Sequence, residues 1–99
     1  MAITKITYRQ HLIRRLKERK IPKDYPKQIY IQSKKHYFDK DSGHFVAVLK
    51  LYYADKFRNM AAVYDKIDQN IEIITNFPIS TSELSNKINS GRWIKNEEG

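Results

Sequence analysis

Ninety-nine residues, of which 40% are hydrophobic and 12% aromatic, are enough for one folded domain with a modest core. The absence of cysteine excludes disulfides and thiolate metal sites. Because no apolar run is long enough to cross a bilayer and the N-terminus lacks the apolar core of a signal peptide, we expect a soluble cytoplasmic protein without a membrane partner.

The formal charge of +8 is concentrated in the first third of the chain. Residues 1–35 hold eleven Lys/Arg and two acidic residues, a net charge of +9, whereas residues 36–99 hold eight and nine, a net charge of −1. Such asymmetry favours an anionic partner, nucleic acid first and an acidic protein second. A basic surface that only aids solubility is the alternative.

Residues 8–21 predict the first helix. It follows a weakly alternating segment in which Thr7 is a candidate N-cap, and it ends before Pro22 because proline disfavours helical geometry in the preceding residue. Its apolar stripe, which we expect to cover a sheet, consists of Leu12, Ile13 and Leu16.

Three cationic or titratable residues follow a neighbouring line of the same helix. His11, Arg15 and Arg19 stand at intervals of four, so that on a helix they share one strip of surface. Histidine is a general acid or base near neutral pH, and guanidinium groups bind phosphate. The strip therefore suits either phosphate binding or hydrogen bonding to the back of a sheet.

Residues 23–33 predict a second short helix. Tyr25, Ile29 and Tyr30 have helical spacing, and Pro26 is acceptable in a first turn. An extended conformation of residues 29–31 is the alternative.

From His36 onward the apolar residues alternate with a period of two, which is typical of strands. Turn segments rich in Asp, Asn, Ser and Gly separate the alternating runs. Consecutive strands joined by short loops pair as neighbours, so four antiparallel strands in a meander are predicted. The four runs are His36–Phe38, His44–Tyr53, Phe57–Asp65 and Ile71–Phe77, separated by turns at Asp39–Gly43, Ala54–Lys56 and Asp68–Asn70.

A last helix is expected after Pro78, over about residues 81–91. Ser80 and Glu83 have the spacing of a capping box, and Leu84 and Ile88 mark the apolar side. We expect residues 92–94 to dock this end and residues 95–99 to fray. The whole chain, 1–99, is thus predicted to be one α+β domain with a core of about residues 7–80 and helices on one face of the sheet.

Several kinds of chemistry are disfavoured by what the chain lacks. No nucleophile elbow, Walker loop or dinucleotide fingerprint is present, which argues against kinases, nucleotide hydrolases and dehydrogenases. The histidines form no H-x-x-x-H pair, so neither a metal nor another cofactor is expected. Asp39–Gly43 resembles the start of a calcium loop, but Lys50 stands where that loop needs glutamate, so a hairpin turn is the better interpretation.

The remaining reactive residue types are His, Arg, Lys and Tyr, which are those that a metal-free ribonuclease needs. Lys50, Arg58 and Tyr64 would line a groove with His11 and Arg15, provided that the strand registers place them on the same side. The structural alternatives are that Tyr64 packs across strands and that Arg58 caps a solvated edge.

Four motifs resemble a known family. They are H-x-x-x-R-x-x-x-R-x-I from His11 to Ile21, Y-F-D-K-D-S-G-H-F-V-A-V from Tyr37 to Val48, R-N-M-A-A-V-Y-D from Arg58 to Asp65, and I-E-I-I-T-N-F-P-I from Ile71 to Ile79. In this order, over about residues 7–80, they resemble the small RelE/ParE-related toxin domains, and most closely a branch akin to BrnT-type toxins.

The resemblance implies two N-terminal helices packed on a four-stranded antiparallel sheet, with a short C-terminal helix. It also implies a toxin-like, metal-free endoribonuclease that cleaves mRNA, free or on the ribosome, and is neutralised by a small acidic antitoxin. Carried over by position, the candidates for catalysis are His11, Arg15, Arg58, Tyr64 and Thr75. The candidates for nucleic-acid contact are Arg14, Arg19, Lys20, Lys34, Lys35 and Lys50.

One departure from the family pattern bears on the activity. RelE-like nucleases place arginines and a tyrosine or histidine near the C-terminal strand, where this chain has Asn76 and Phe77. A non-catalytic module that binds nucleic acid or protein through the basic helix is therefore the alternative, and a gyrase-directed inhibitor like ParE is the third. A homodimer is left open.

Overall fold

A six-stranded mixed sheet and three helices make up the structure, a computed structural model that describes residues 5–96. The strands lie in the order β1-β5-β4-β3-β2-β6. In chain order the elements are β1 (Lys5–Tyr8), α1 (Gln10–Arg19), α2 (Tyr25–Gln32), β2 (Lys35–Asp39), β3 (Phe45–Tyr53), β4 (Lys56–Ile67), β5 (Asn70–Pro78), α3 (Thr81–Asn89) and β6 (Trp93–Lys95).

The predicted antiparallel meander forms the centre of this sheet, as β2, β3, β4 and β5. The expected count of four strands is wrong, because a short strand adds to each side. β1 pairs in parallel with β5, and β6 pairs antiparallel with β2. The weak alternation before α1 and the three residues after α3 are too short to predict strands by themselves, and these segments become strands by hydrogen bonding to an edge that already exists.

Helix α1 covers the sheet with fewer residues than expected. Leu12 and Leu16 are buried, but Ile13 is 44% exposed, so its predicted place in the buried stripe is wrong. Thr7 is also not the N-cap: it belongs to β1, opposite Glu72 of β5, and the cap position is occupied by Arg9 without a side-chain hydrogen bond. Because Thr7 pairs with β5 as part of β1, it is not available to cap the helix.

Helix α2 is confirmed and settles the alternative of an extended segment. Pro26 lies in its first turn, and Ile29 and Tyr30 are buried against the sheet. With α1 it covers one face, here called the α1/α2 face, whose core includes Ala47, Ala62 and Tyr64 of the central strands.

The opposite face, here called the α3 face, has its own smaller core. It contains Val46, Val48 and Ala61, over which Leu84 of α3 and Trp93 of β6 pack. The predicted capping box of Ser80 and Glu83 is present at the start of α3. Helices therefore cover both faces of the sheet, contrary to the single helical layer expected. Ile88 is 40% exposed and Lys95 lies in β6 instead of fraying, whereas residues 97–99 lie outside the described residues.

Two hairpin turns fix the register of the central strands. Between β2 and β3, the Asp39 carboxylate accepts hydrogen bonds from the backbone N–H groups of Asp41 and Ser42, and Gly43 has a φ of +79°. Between β3 and β4, Ala54 and Asp55 have φ angles of +52° and +70°, which is typical of a type I′ turn. Both loops are the tight turns that the sequence predicts.

Candidate nucleic-acid interface

A cation-lined groove lies on the α3 face, between the start of α3 and the hairpin that joins β3 to β4. It consists of two adjoining cavities of about 450 and 530 Å³ that share Lys50, Asn59 and Thr81. Five cationic residues line it and define what is here called the basic groove: Lys34, Lys35, Lys50, Lys56 and Arg58. Lys35 and Lys50 lie on the α3 face, whereas Lys56 and Arg58 line the groove at the hairpin end, from strand positions that face the other side of the sheet.

Strand register explains why three of its lining residues come together. Lys50 of β3 lies opposite Asn59 of β4, so the two share the α3 face. Lys35 opens β2 opposite Val48, which is two residues before Lys50 and on the same face. The hairpin and the first residue of β2 thus bring separated lysines to one surface.

The electrostatic balance of the basic groove is strongly positive. Glu83 is the acidic residue on its wall, and its carboxylate is occupied by the backbone N–H of Ser80 in the capping box. That hydrogen bond, first of all, holds the pKa of Glu83 below its usual value, so it stays ionised. Within residues 5–96, none of the five cations forms an ion pair with a carboxylate. Unpaired, clustered cations attract a polyanion.

The basic strip of α1 lies on the other side of the sheet. His11, Arg14 and Arg15 are exposed on the outer surface of the helix. Arg19 donates a 2.9 Å hydrogen bond to the backbone oxygen of Asn76, which is the sheet-binding alternative for this position. The strip is therefore divided in role, with its C-terminal arginine anchored to β5 and its first two positions exposed to solvent.

Only one end of α1 approaches the basic groove. The hydroxyl of Tyr53 donates a 2.6 Å hydrogen bond to the backbone oxygen of Arg19, which places Arg19 and Lys20 at the hairpin end of the molecule. His11 lies eight residues earlier, about 12 Å away along the helix axis. Of the predicted nucleic-acid residues, Lys34, Lys35 and Lys50 line the basic groove, whereas Lys20 and His11 on α1 are not among its lining residues.

The groove expected from His11, Arg15, Lys50, Arg58 and Tyr64 does not exist. Tyr64 is completely buried beneath α2, and its hydroxyl is hydrogen bonded to Nδ1 of His36 at 2.7 Å. Lys50 lies on the opposite face of the sheet from Tyr64, because Tyr64 pairs with Phe45 and the side chains of β3 alternate. The register therefore separates the residues that the prediction had combined.

Burial also determines the protonation of Tyr64. Together with the nearby Tyr30, it raises the pKa of the Tyr64 phenol above that of an ordinary tyrosine. A phenol that is inaccessible to solvent and bonded to a buried imidazole cannot reach a substrate oxygen, so the predicted role as proton donor is not supported by its position.

The other two predicted residues are accounted for by local structure. Arg58 donates from Nε to the backbone oxygen of Tyr53 at 2.8 Å and from a terminal nitrogen to that of Ala54 at 3.1 Å, which holds the β3–β4 turn. Thr75 lies opposite Val63 beside a bulge in β5, on the α3 face and away from Arg58.

A histidine–carboxylate pair that was not among the predicted site residues lies on the α3 face. Nδ1 of His44 is 2.6 Å from Oδ1 of Asp65, and Arg9 is 4.0 Å from the other oxygen of Asp65 while it bonds Glu72 at 2.9 Å. Because a carboxylate only accepts, Nδ1 carries the proton, and Nε2 of a neutral His44 has a free lone pair. The side chain of His44 is 35% exposed, so the imidazole is partly accessible to solvent.

The two-residue turn at Ala54 and Asp55 was the signal that could have revealed this pair. It places Tyr53 opposite Lys56, and continuing that register brings His44 opposite Asp65. The same register would also have separated Lys50 from Tyr64.

In residues 5–96, no group of three or more His, Asp or Glu side chains is arranged to hold a metal ion. No helix in that range is both long and apolar enough to cross a membrane.

Comparison of the chain with models of protein families, with curated proteins and with solved structures finds no match in any of the three. The geometry of the sites, together with the motif resemblance, is therefore the basis for a functional proposal.

Proposed function

We propose that this protein binds RNA through the basic groove. The observation that carries the proposal is the cluster of five cations, without carboxylate partners in residues 5–96, around a concave surface. Lysines without fixed partners neutralise backbone phosphates and release counterions, which gives affinity independent of sequence.

A toxin-like role is the second part of the proposal. It is supported by the resemblance to RelE-related domains and by two helices packed on one face of an antiparallel meander. In that role the bound RNA is cleaved without metal, and an acidic antitoxin covers the basic surface. A gyrase-directed inhibitor and a non-catalytic binding module are the competing roles.

The His44–Asp65 pair favours cleavage of an RNA strand that extends from the basic groove along the α3 face, because His44 lies six residues before Lys50, about 20 Å along β3. Asp65 orients the ring through Nδ1, so that Nε2 is able to remove the proton from a ribose 2′-hydroxyl. The 2′-oxygen then attacks the adjacent phosphorus, and the 5′-oxygen leaves with a proton from the imidazolium. The products are a 2′,3′-cyclic phosphate and a 5′-hydroxyl, and no metal ion or redox reagent is consumed.

Binding is tested by exchanging charges in matched pairs. Lys35→Glu with Lys50→Glu should weaken binding of a short RNA and reduce the slope of log K against log salt by about 0.7 per lost phosphate contact. Arg14→Glu with Arg15→Glu changes the same charge on the α1 strip, and Lys40→Glu is a single control in the β2–β3 turn. If the α1 variant loses more affinity than the groove variant, RNA binds to the helix and the groove assignment is wrong.

Cleavage is tested by inducible expression in bacteria. Growth arrest with fragmented transcripts supports the toxin-like nuclease, and fragments ending in a cyclic phosphate support the proposed chemistry. Arrested replication with intact transcripts would indicate gyrase, and normal growth together with salt-dependent RNA binding would leave only the binding module.

A further inference from the structure

Two aromatic side chains are exposed at the edge of the basic groove. Tyr52 is 53% exposed and Phe57 is 66% exposed. They lie opposite each other on β3 and β4, with ring centroids 5.3 Å apart and an angle of 78° between the rings. The other large hydrophobic side chains that are exposed in residues 5–96, such as Ile31 and Ile67, are aliphatic. Tyr52 and Phe57 are therefore the aromatic members of this exposed set.

The backbone beneath this pair is held firmly. The hydroxyl of Tyr25 donates a 2.6 Å hydrogen bond to the backbone oxygen of Tyr52. On the other side, Arg58 binds the carbonyl oxygens of Tyr53 and Ala54 in the adjoining turn. The two rings are therefore held by a well-fixed hairpin, so that little conformational entropy is lost when a ligand binds to them.

Two cationic residues lie close to the aromatic pair, one on the same face of the sheet and one at the hairpin end. Lys50 precedes Tyr52 by two residues on the same face of β3, about 7 Å along the strand. Lys56 precedes Phe57 and lines the same cavity with it. An exposed ring beside a lysine offers a flat surface for a base and a charge for its phosphate, within reach of one nucleotide.

We infer that Tyr52 and Phe57 stack on unpaired bases, so that the basic groove selects single-stranded RNA over duplex RNA. The inference rests on the proposed RNA binding and names its substrate class. The edge-to-face arrangement leaves a ring face of each residue available, whereas bases in a duplex are already stacked and paired. The positive surroundings favour a nucleic acid over an apolar protein segment as the occupant of this patch.

The test measures binding of a short single-stranded RNA and of a hairpin duplex to the full chain, by anisotropy at one salt concentration. The wild-type protein should prefer the single strand. Tyr52→Ala and Phe57→Ala should each weaken single-strand binding by about 5- to 150-fold and leave duplex binding unchanged. Ile67→Ala, which shortens an equally exposed residue of β4, is the matched control and should change neither.

A conservative substitution separates stacking from simple apolar contact. Phe57→Leu keeps an apolar side chain but removes the aromatic face, so it should weaken binding as much as Phe57→Ala. Full affinity of Phe57→Leu, or equal binding of single strand and duplex by the wild type, would overturn the inference while leaving RNA binding intact. Failure of the wild-type protein to bind either RNA would instead overturn the proposed function itself.

Discussion

His36 lies in β2 and His44 immediately precedes β3, the strand that pairs with β2, yet the two histidines differ in burial and in hydrogen-bond partners. His36 is 5% exposed on the α1/α2 face; its Nδ1 bonds the Tyr64 hydroxyl and its Nε2 bonds the backbone oxygen of Ser33. His44 is 35% exposed on the α3 face and uses only Nδ1, toward Asp65. Because a carbonyl only accepts, Nε2 of His36 carries the proton, whereas in His44 the proton is on Nδ1.

Burial and hydrogen-bond partners, more than residue type, decide what these two histidines do. Both ring nitrogens of His36 are satisfied, so the residue holds the core together and has no free lone pair. His44 has a carboxylate that orients it and a nitrogen that is accessible. Changes at His36 should therefore affect stability without affecting activity, and changes at His44 should do the reverse.

The largest effect is expected from His44→Ala in an RNA cleavage assay. Loss of a general base typically costs about 10²- to 10⁴-fold in rate. Asp65→Asn should also slow cleavage, since an amide no longer enforces the tautomer with a free Nε2. His11→Ala removes the exposed imidazole of α1 and is the control, with cleavage expected to continue. If His11→Ala abolishes cleavage and His44→Ala does not, the helix histidine is the base.

Tyr64→Phe should destabilise the fold by about 1–3 kcal/mol, because it leaves Nδ1 of buried His36 without its donor. Urea denaturation measures the difference. Tyr52→Phe removes a hydroxyl from an exposed ring and should change stability by less than about 0.5 kcal/mol. Cleavage by folded Tyr64→Phe should equal that of the wild type. A large loss of activity at unchanged stability would restore Tyr64 as a proton donor.

A smaller effect on the free energy of unfolding is expected from a change in pH. Burial lowers the pKa of His36 below its usual 6.5, and the nearby Lys66 and Lys95 act in the same direction. The unfolded chain then binds more protons than the native protein, so stability should be complete above pH 6.5 and fall below it, at most by about 1.4 kcal/mol per pH unit.

Comparing His36→Gln with the wild type isolates this contribution. The variant should be less stable at neutral pH, because the bonds to Tyr64 and Ser33 are weakened or lost. Since glutamine does not titrate, the difference between variant and wild type should narrow as the pH falls from 7.5 to about 5. A constant difference across that range would show that protonation of His36 does not contribute.

The helices and the central hairpins could be predicted because their signals are local. Leu12 and Leu16 follow the period of a helix, Ser80 and Glu83 form the capping box, and the turn at Asp39 is held by its own side chain. The edge strands could not be predicted, since β1 and β6 are strands only where β5 and β2 offer free backbone groups. The burial of Ile13 was mispredicted for a related reason. The apolar stripe of α1 was placed correctly, but the width of its buried part depends on which elements pack against the helix.

The candidate site was predictable in composition and not in arrangement. Basic residues were expected at Lys34, Lys35 and Lys50, and these do share one groove. The prediction that Lys50 and Tyr64 share a groove was wrong, although the two-residue turn at Ala54 and Asp55 defines a register that places them on opposite faces. The role of Arg58 was harder to predict, because it donates hydrogen bonds to backbone oxygens, and such bonds cannot be inferred from the residue types along the chain.

By itself, the sequence determined the α+β class, the two N-terminal helices, the antiparallel meander and an excess of positive charge in the first third. These follow from periodicity, turn chemistry and composition, all of which act over short stretches of chain. Only the tertiary structure decided which histidine is buried, and that the start of α3 and the β3–β4 hairpin meet at one basic groove. Those outcomes depend on packing between residues far apart in the chain, where burial sets protonation and register sets the face.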